Sequence, residues 1–185
     1  SHDTAANGSV RLNEAADPNG GDNLSAQQRL LTASAITMTA PGIPMLLQGQ
    51  EFMQEGAFND WQALEWNKIK EYSGIVLAHQ HLISLRRNIY GVTAGLVGQS
   101  LAIFHQNDQD KVLGYHRWDH GGPGDDTLVL ANFGSNRFDE YIVHLPLPGT
   151  WYIRFNSTWR GYSEEFPDFE AESVTTDESG YAALE

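Results

Sequence analysis

The sequence predicts an α/β segment over residues 1–95, followed by an all-β domain over residues 100–185. In the first segment two helical patterns flank a short apolar run, as expected where helices alternate with strands. In the second, short runs rich in β-branched and aromatic residues recur about every ten residues, which predicts an antiparallel β-sandwich. The fold class is therefore α/β plus all-β.

The helices and the strand of the first segment have separate signals. Residues 25–40 form the first helical pattern, opened by a capping box of Ser25 and Gln28 and ended by the Pro-Gly pair that follows. The continuous apolar run 43–47 predicts a strand buried on both faces. Residues 72–87 carry an apolar stripe at helical spacing and end in two arginines, which suit a helix C-terminus.

Two stretches of the first segment predict loops. Residues 13–23 are rich in Asp, Asn, Gly and Pro, which favour turns. Residues 50–66 are polar and aromatic without a clear period, and long loops in compact domains are usually functional. We therefore expect the second loop to lie near a functional site.

The all-β domain divides into short strands at its turn residues. Asn107 to Asp110 form a hairpin turn by composition, and residues 121–126 predict a Gly-rich loop. Residues 159–178 are acidic, aromatic and irregular. The predicted strands are 101–105, 111–118, 127–133, 141–145, 151–156 and a last one within 180–185.

Composition excludes several classes of partner. The formal net charge is −13, whereas nucleic acids and anionic membranes demand clustered Lys and Arg. There is no cysteine, no visible signal peptide and no apolar run near the ~20 residues of a membrane span, so we expect a cytoplasmic protein. A neutral ligand such as a sugar remains compatible with this charge.

Two short motifs in a fixed order carry the functional signal. His2 and Asp3 open the chain, and some forty residues later comes the run from Pro41 to Glu51, Pro-Gly-Ile-Pro-Met-Leu-Leu-Gln-Gly-Gln-Glu. An aspartate beside a histidine suits carbohydrate chemistry, because a carboxylate can hold sugar hydroxyls while an imidazole donates to one of them. A lone His-Asp pair is more often a surface or capping feature. The 41–51 run that follows in a fixed order is what favours a functional interpretation.

In this order the motifs resemble the last catalytic segments of the α-amylase family of glycoside hydrolases and transglycosylases, most closely the 1,4-α-glucan branching enzymes. Residues 82–87, 111–118, 121–126 and 130–133 extend the resemblance over nearly the whole chain. It implies the last two βα units of a (β/α)8 barrel, from the end of strand 7 to helix 8, followed by the C-terminal β-sandwich. It also implies a place in carbohydrate metabolism such as glycogen biosynthesis.

The resemblance assigns roles to individual residues. Asp3 matches the family's third carboxylate, a transition-state stabiliser at the end of barrel strand 7, and His2 matches its sugar-binding histidine. Gln48 and Glu51 match the rim of the site after strand 8 and are candidate substrate-binding residues. At Thr4 a close branching-enzyme relative is expected to carry an acidic residue, so hydrolase and branching transferase both stay open.

The family's nucleophile and general acid have no counterpart in this sequence, and on the family's order both precede Ser1. We therefore expect the chain to be part of a longer retaining enzyme and to be inactive alone, because such residues act as a unit. Its expected partners are an α-glucan of the glycogen or starch type and either the missing N-terminal barrel segment or a second copy. A non-catalytic glucan-binding or support module is the alternative from another class.

Further candidates have weaker signals. Trp159 and Tyr162 could form an exposed sugar-stacking surface, although aromatic residues in small sandwiches more often fill the core. Four acidic residues in turns, Asp108, Asp110, Asp125 and Asp126, do not have the spacing of an EF-hand calcium loop. Turn formation explains them better, and we expect no metal or other cofactor.

Overall fold

The computed structural model describes residues 2–17, 21–167 and 171–184. These residues belong to two compact units. The first comprises Ser1–Met38, Ile43–Ile83 and Ser157–Asp168, and the second comprises Thr39–Gly42, Ser84–Asn156 and Phe169–Glu185.

The helices lie before the strands in the chain. They are α1 (His2–Ala6), α2 (Leu12–Ala16), α3 (Leu24–Thr39), α4 (Lys68–Glu71) and α5 (Ser73–Arg86), with 3-10 turns at Gln50–Phe52 and Ala94–Leu96. No helix among the described residues combines the length and the apolar character that crossing a bilayer requires.

The two long helices confirm the helical patterns of the sequence. Both are amphipathic: α3 buries Leu30 and Leu31, and α5 buries Ile75 and Leu82. The start of α3 differs from the predicted capping box. The side-chain oxygen of Asn23 accepts a hydrogen bond from the Ala26 N–H at 2.9 Å, so the helix is capped two residues before Ser25.

The expectation of a strand at residues 43–47 is wrong for this chain. No strand is assigned there, and Ile43 and Met45 are 98% and 64% exposed. A strand buried on both faces needs ladder partners on each side, and the described residues place none beside this run. Asp3 likewise lies in the short helix α1 rather than at the end of a strand, and α2 occupies part of the predicted 13–23 loop.

The second unit is built from antiparallel strands, as predicted. They are β1 (Ser100–Asn107), β2 (Val112–Trp118), β3 (Thr127–Asn132), β4 (Tyr141–His144), β5 (Thr150–Tyr152), β6 (Ser173–Thr175) and β7 (Tyr181–Leu184). They pair as a three-stranded sheet in the order β1-β2-β3 and as two two-stranded sheets, β4-β7 and β5-β6. β6 was missed by the sequence interpretation because it lies within the stretch read as irregular.

One apolar core joins these three sheets. Val143, Leu145 and Ala182 are buried at its centre. Phe104 and Leu128 pack against them from the three-stranded sheet, while Trp151 and Val174 do so from β5 and β6. The small sheets thus share one hydrophobic layer, as expected of a sandwich.

Two arginines hold the 39–42 segment within the second unit. Arg86 donates to the carbonyl oxygens of Ala40, at 2.7 Å, and of Gly42. Arg117, which has no exposed surface, donates to the carbonyl of Thr39. Carbonyls at and just after the C-terminal residue of α3 therefore accept hydrogen bonds from guanidinium groups, the charge that suits a helix C-terminus.

Candidate functional site

The two residues with the strongest sequence signal lie in α1. Asp3 has an exposed side chain, and its carbonyl oxygen accepts hydrogen bonds from the backbone N–H of Asn7 at 3.0 Å and from the Asn7 amide at 2.8 Å. His2 is part of the same helix, but its side chain lies outside the described set. Asp3 is thus an exposed residue of a short helix whose carbonyl is bonded to Asn7.

A loop of residues 54–64, here called the 54–64 loop, is tied to this N-terminal region. The Phe58 N–H donates to the carbonyl of Ala5 at 3.0 Å, and the Gly56 N–H donates to the Glu14 carboxylate at 2.7 Å. The base of the loop is closed between Gln54 and Glu65, where the Glu65 N–H reaches the Gln54 side-chain oxygen at 2.8 Å. These bonds hold the loop beside α1 and α2.

Gln48 and Glu51, predicted at the rim of a sugar site, lie in a tight turn near Arg11. Arg11 donates to the carbonyl of Gln48 at 2.7 Å, and the Glu51 carboxylate accepts from the Gly49 N–H at 2.9 Å. Gln48 is exposed and lines a cavity with Arg11. The Glu51 carboxylate is engaged in stabilising the turn, so the two residues differ in how open they are to a ligand.

The turn itself requires glycine at position 49. Gly49 has a φ of 90°, and a Cβ there would lie 2.6 Å from the Cβ of Gln54. The carbonyl of Gly49 accepts from the N–H groups of Phe52, at 3.2 Å, and Gln54, at 2.9 Å. This geometry directs the chain from Gln48 into the 54–64 loop.

Arg11 is a largely buried cation beside the Gln48 turn. Arg11 is only 6% exposed. Burial lowers the pKa of its guanidinium, while Glu14 and Glu51 oppose that shift. An arginine stays protonated under these conditions. Its Nε has no hydrogen-bond partner among the described residues. The guanidinium is thus only partly satisfied by protein groups.

Two cavities flank the 54–64 loop. The first has a volume of about 310 Å³ and a largely polar lining that includes Arg11, Gln48, Gln54, Glu55, Asn59 and Gln62. The second, of about 600 Å³, is bounded by the same loop, by Trp61 and by Ala6 of α1. Both are open to solvent rather than enclosed.

The sequence interpretation did not single out Arg11, Asn59, Asp60 or Trp61. The signal available was the long 50–66 loop, which was expected to be functional, and the tripeptide Asn59-Asp60-Trp61 within it. An exposed tryptophan cannot be distinguished from a core tryptophan in a segment without periodicity.

A buried polar network lies under the Gly49 turn. His79 Nδ1 lies 2.8 Å from the Ile75 carbonyl, and its Nε2 lies 3.0 Å from the Ser34 hydroxyl, which also accepts from the Gln50 amide at 3.2 Å. A carbonyl only accepts, so Nδ1 carries the proton and Nε2 accepts from Ser34. Burial lowers the pKa of His79. Ser34 and His79 are 0% and 2% exposed, so this pair supports the fold and is closed to substrate.

Trp159 and Tyr162 have different environments. Tyr162 is 6% exposed, so the expectation that it is open to a ligand is wrong. Its hydroxyl lies 2.7 Å from Nδ1 of His81, and burial raises its pKa. Trp159 is 42% exposed and meets the Tyr162 ring edge-on at 5.0 Å. Of these two residues, Trp159 is the one with a surface that a sugar could contact.

The acidic turn residues act as backbone caps. The Asp125 carboxylate accepts from the N–H groups of Asp119, His120 and Gly121, and Asp126 accepts from Gly122 at 2.7 Å. Within the part of the chain that the structure describes, no three His, Asp or Glu side chains converge as a metal-binding group.

Comparison with known proteins defines the class first. Residues 103–184 match the family model of the α-amylase C-terminal all-β domain. The predicted similarity to the α-amylase family is thereby confirmed, and the second part of the chain has the fold of that family's C-terminal domain.

Individual relatives are branching enzymes. The chain is 30% identical over 159 residues to the 1,4-alpha-glucan branching enzyme GlgB of Rhodopseudomonas palustris, an alignment that covers 77% of the chain and 20% of the relative. It is 30% identical over 134 residues to GlgB of Mycobacterium sp. (strain KMS), covering 66% of the chain and 17% of the relative. The chain thus spans about a fifth of the length of these relatives.

Among solved structures the fold resembles pullulanase from Anoxybacillus sp. LM18-11. The structure of that protein complexed with maltotetraose matches at a TM-score of 0.60 and 19% sequence identity, covering 94% of this chain and 25% of the pullulanase. Its complex with maltotriose matches at a TM-score of 0.61 and 20% identity. At this identity the likeness concerns the fold alone.

Proposed function

We propose that this chain is the C-terminal part of an enzyme acting on α-1,4-glucans, a 1,4-α-glucan branching enzyme that works as a retaining glucanotransferase. The observation that carries the proposal is the 30% identity to GlgB over 159 residues. The ordered sequence motifs support it, because they resemble the same family. The substrate is a polysaccharide of the glycogen or starch type. In the parent protein these residues complete a (β/α)8 barrel, which the chain itself does not close.

Asp3 is the residue proposed to act on the substrate. Asp3 is an exposed residue, and its carboxylate is proposed to stabilise the oxocarbenium-like transition state of a retaining reaction. His2 is proposed to donate to a sugar hydroxyl beside it. Gln48 and Glu51 are proposed to shape the rim of the site, with Gln48 the more open of the two.

The chain alone is proposed to be inactive. A retaining mechanism needs a nucleophile and a general acid, and neither has a counterpart in this sequence. Both are proposed to belong to the N-terminal barrel segment of the parent, which would also supply ladder partners to residues 43–47. The exposure of Ile43 and Met45 supports an apolar surface that is covered in the complete protein.

The test uses the complete protein encoded by the parent gene beside the 185-residue chain. Branching changes the iodine stain of amylose without releasing reducing ends, whereas hydrolysis releases them. We expect stain change without reducing ends for the parent and neither signal for the chain. Release of reducing ends would identify an amylase-type hydrolase instead. Turnover by the purified chain would contradict the proposal that the nucleophile and the general acid lie outside it.

A variant of the parent tests Asp3 itself. Asp3→Asn removes the charge that opposes the developing cation, and activity should fall by at least about 100-fold, as for the loss of other transition-state stabilisers. Asp139→Asn is the matched control, because its carboxylate is fully exposed and 3.9 Å from its partner Arg137. Equal activity of the two variants would refute the role of Asp3.

A further inference from the structure

We infer that the 54–64 loop is an α-glucan-binding element, in which Trp61 stacks on a glucosyl ring and the polar side chains around it bind the sugar hydroxyls. The inference rests on the proposed function for its substrate class. It adds a binding surface that neither the ordered motifs nor the relatives assign.

Trp61 is presented to solvent rather than packed. It is 95% exposed, whereas Trp66 nearby is 62% exposed and packs its ring against Phe52 at a centroid distance of 5.6 Å. Tryptophan is highly buried on average, so an indole left open on a fixed loop marks a contact surface. The flat apolar face of an indole matches the C–H face of a glucose ring.

The loop conformation around Trp61 is fixed by a local turn. The side-chain oxygen of Asn59 accepts from the Trp61 N–H at 2.9 Å, and its carbonyl accepts from the Gln62 N–H at 3.2 Å. Together with the bonds to Ala5 and Glu14, these contacts hold the loop in one shape. A prearranged loop loses little conformational entropy when a ligand binds.

The groups on either side of Trp61 suit a polyol. Asn59 and Gln62 line both cavities and offer amide donors and acceptors, while Asp60 supplies a carboxylate acceptor. Arg11 lines the 310 Å³ side, where its largely buried guanidinium donates to the Gln48 carbonyl at 2.7 Å. Hydroxyl groups can both donate to and accept from the amides and can donate to a carboxylate, which an apolar ligand cannot.

The position of the loop links it to the proposed site. Ala6, which lies one helical turn after Asp3, lines the same 600 Å³ cavity as Trp61. A glucan chain stacked on Trp61 would therefore extend toward the carboxylate that is proposed to grip the sugar. Asp60 and Glu55 beside the cavities, in a chain of net charge −13, exclude a phosphorylated ligand as the preferred occupant.

The experiment measures binding of the 185-residue chain to glucan. Affinity electrophoresis in gels containing amylopectin gives a dissociation constant from the retardation, and maltoheptaose competes in solution. We expect Trp61→Ala to weaken binding at least tenfold and Trp61→Phe, which keeps an aromatic face, to restore most of it. Tyr152→Ala is the control, because Tyr152 is also an exposed aromatic residue, at 64%, but lies in β5.

A second readout does not depend on a variant. N-bromosuccinimide oxidises exposed tryptophans, and peptide mapping by mass spectrometry reports each one. Maltoheptaose should protect Trp61 and leave the rate at Trp66 unchanged. Equal melting temperatures of Trp61→Ala and the unaltered chain would show that any loss of binding is local, as expected for a side chain that is 95% exposed.

The outcomes separate the two proposals. If the unaltered chain is retarded and Trp61→Ala is retarded equally, the inference is wrong while the proposed function stands. If Trp61 resists oxidation without sugar and the chain sediments as a dimer, a second copy covers the loop and the inference is wrong. If the chain binds through Trp61 but the parent has no activity on glucans, the inference stands and the proposed function fails. No retardation of the unaltered chain overturns glucan binding by this loop.

Discussion

Arg117 donates from Nη2 to the carbonyl oxygen of Gly98 at 2.6 Å, and among the residues that the structure describes no carboxylate accepts from its guanidinium. Its other acceptors are backbone carbonyls too, including Ser100 at 3.0 Å. The bonds described for this fully buried guanidinium all go to backbone carbonyl oxygens, so the buried charge is hydrogen-bonded. Burial lowers the pKa of Arg117, with Arg86 acting in the same direction.

Replacing Arg117 by alanine should destabilise the chain strongly. Several buried carbonyls lose their donor, at about 1–3 kcal/mol each, so we expect a loss of at least about 3 kcal/mol in the free energy of unfolding. Urea denaturation followed by circular dichroism measures it. Arg137→Ala is the control, since that side chain is 71% exposed, and it should change stability by less than about 0.5 kcal/mol. Similar midpoints for the two variants would contradict the role of Arg117.

Gly74 in α5 should not tolerate even one added methyl group. A Cβ at this position would lie 1.8 Å from the carbonyl oxygen of Tyr162, a backbone atom that cannot turn aside. Gly74→Ala should therefore cost about 1–3 kcal/mol, against a helix-propensity gain of about 1 kcal/mol expected elsewhere in a helix. Thermal unfolding checks the sign. Gln80→Ala in the same helix is the comparison, and an increase in melting temperature for Gly74→Ala would refute the close approach.

His79 should make the first unit sensitive to mild acid. Its folded-state pKa is lowered from 6.5, chiefly by burial, so below about pH 6.5 the unfolded chain takes up a proton that the folded chain resists. The contribution of His79 to the free energy of unfolding is thus fully present above pH 6.5 and decreases as the pH falls from there. Denaturation midpoints between pH 8 and pH 5 measure the slope. His79→Gln should flatten it, and an unchanged slope in that variant would contradict the role of His79.

Asp125 should make the stability of the chain depend on pH in a second, more acidic range. Burial raises the pKa of its carboxyl, but the hydrogen bonds from Asp119, His120 and Gly121 outweigh that effect, and the net pKa lies below 3.8. Its contribution is therefore present above about pH 3.8 and is lost as the pH falls below that value. Asp125→Asn should destabilise the chain at pH 7 and differ less from the unaltered chain near pH 3. A difference independent of pH would show that the charge is immaterial.

The fold was predictable where burial imposes a period. Leu30 and Leu31 in α3 and Ile75 and Leu82 in α5 recur at helical spacing, so both helices were found from the sequence. β6 was missed because three residues in an acidic stretch carry no alternation that can be recognised. The 43–47 run has the composition of a buried strand, but composition does not reveal whether neighbours are present to pair with it.

The site was predictable only where chemistry and order coincide. The family resemblance assigned Gln48 to the rim of a sugar site. The structure places Gln48 on the lining of a cavity, and its role in sugar binding stays a prediction. Arg11 and Trp61 were missed because the contact between Arg11 and Gln48 joins residues 37 positions apart and the exposure of Trp61 depends on the fold. A local pattern encodes neither. Tyr162 was expected to be exposed because the stretch around it looks irregular, yet an irregular backbone can still be buried.

The second residue of the apolar run 43–47, Pro44, opposes pairing of this run between molecules. An exposed, unpaired hydrophobic run of this kind can form backbone hydrogen bonds with the same run of a neighbouring molecule, and repeated pairing leads to fibrils. Pro44 stands between the exposed Ile43 and Met45 and has no amide hydrogen to offer to an incoming strand. Any such growth would be interrupted at its centre, so concentrated solutions of the chain should form amorphous aggregates before ordered fibrils.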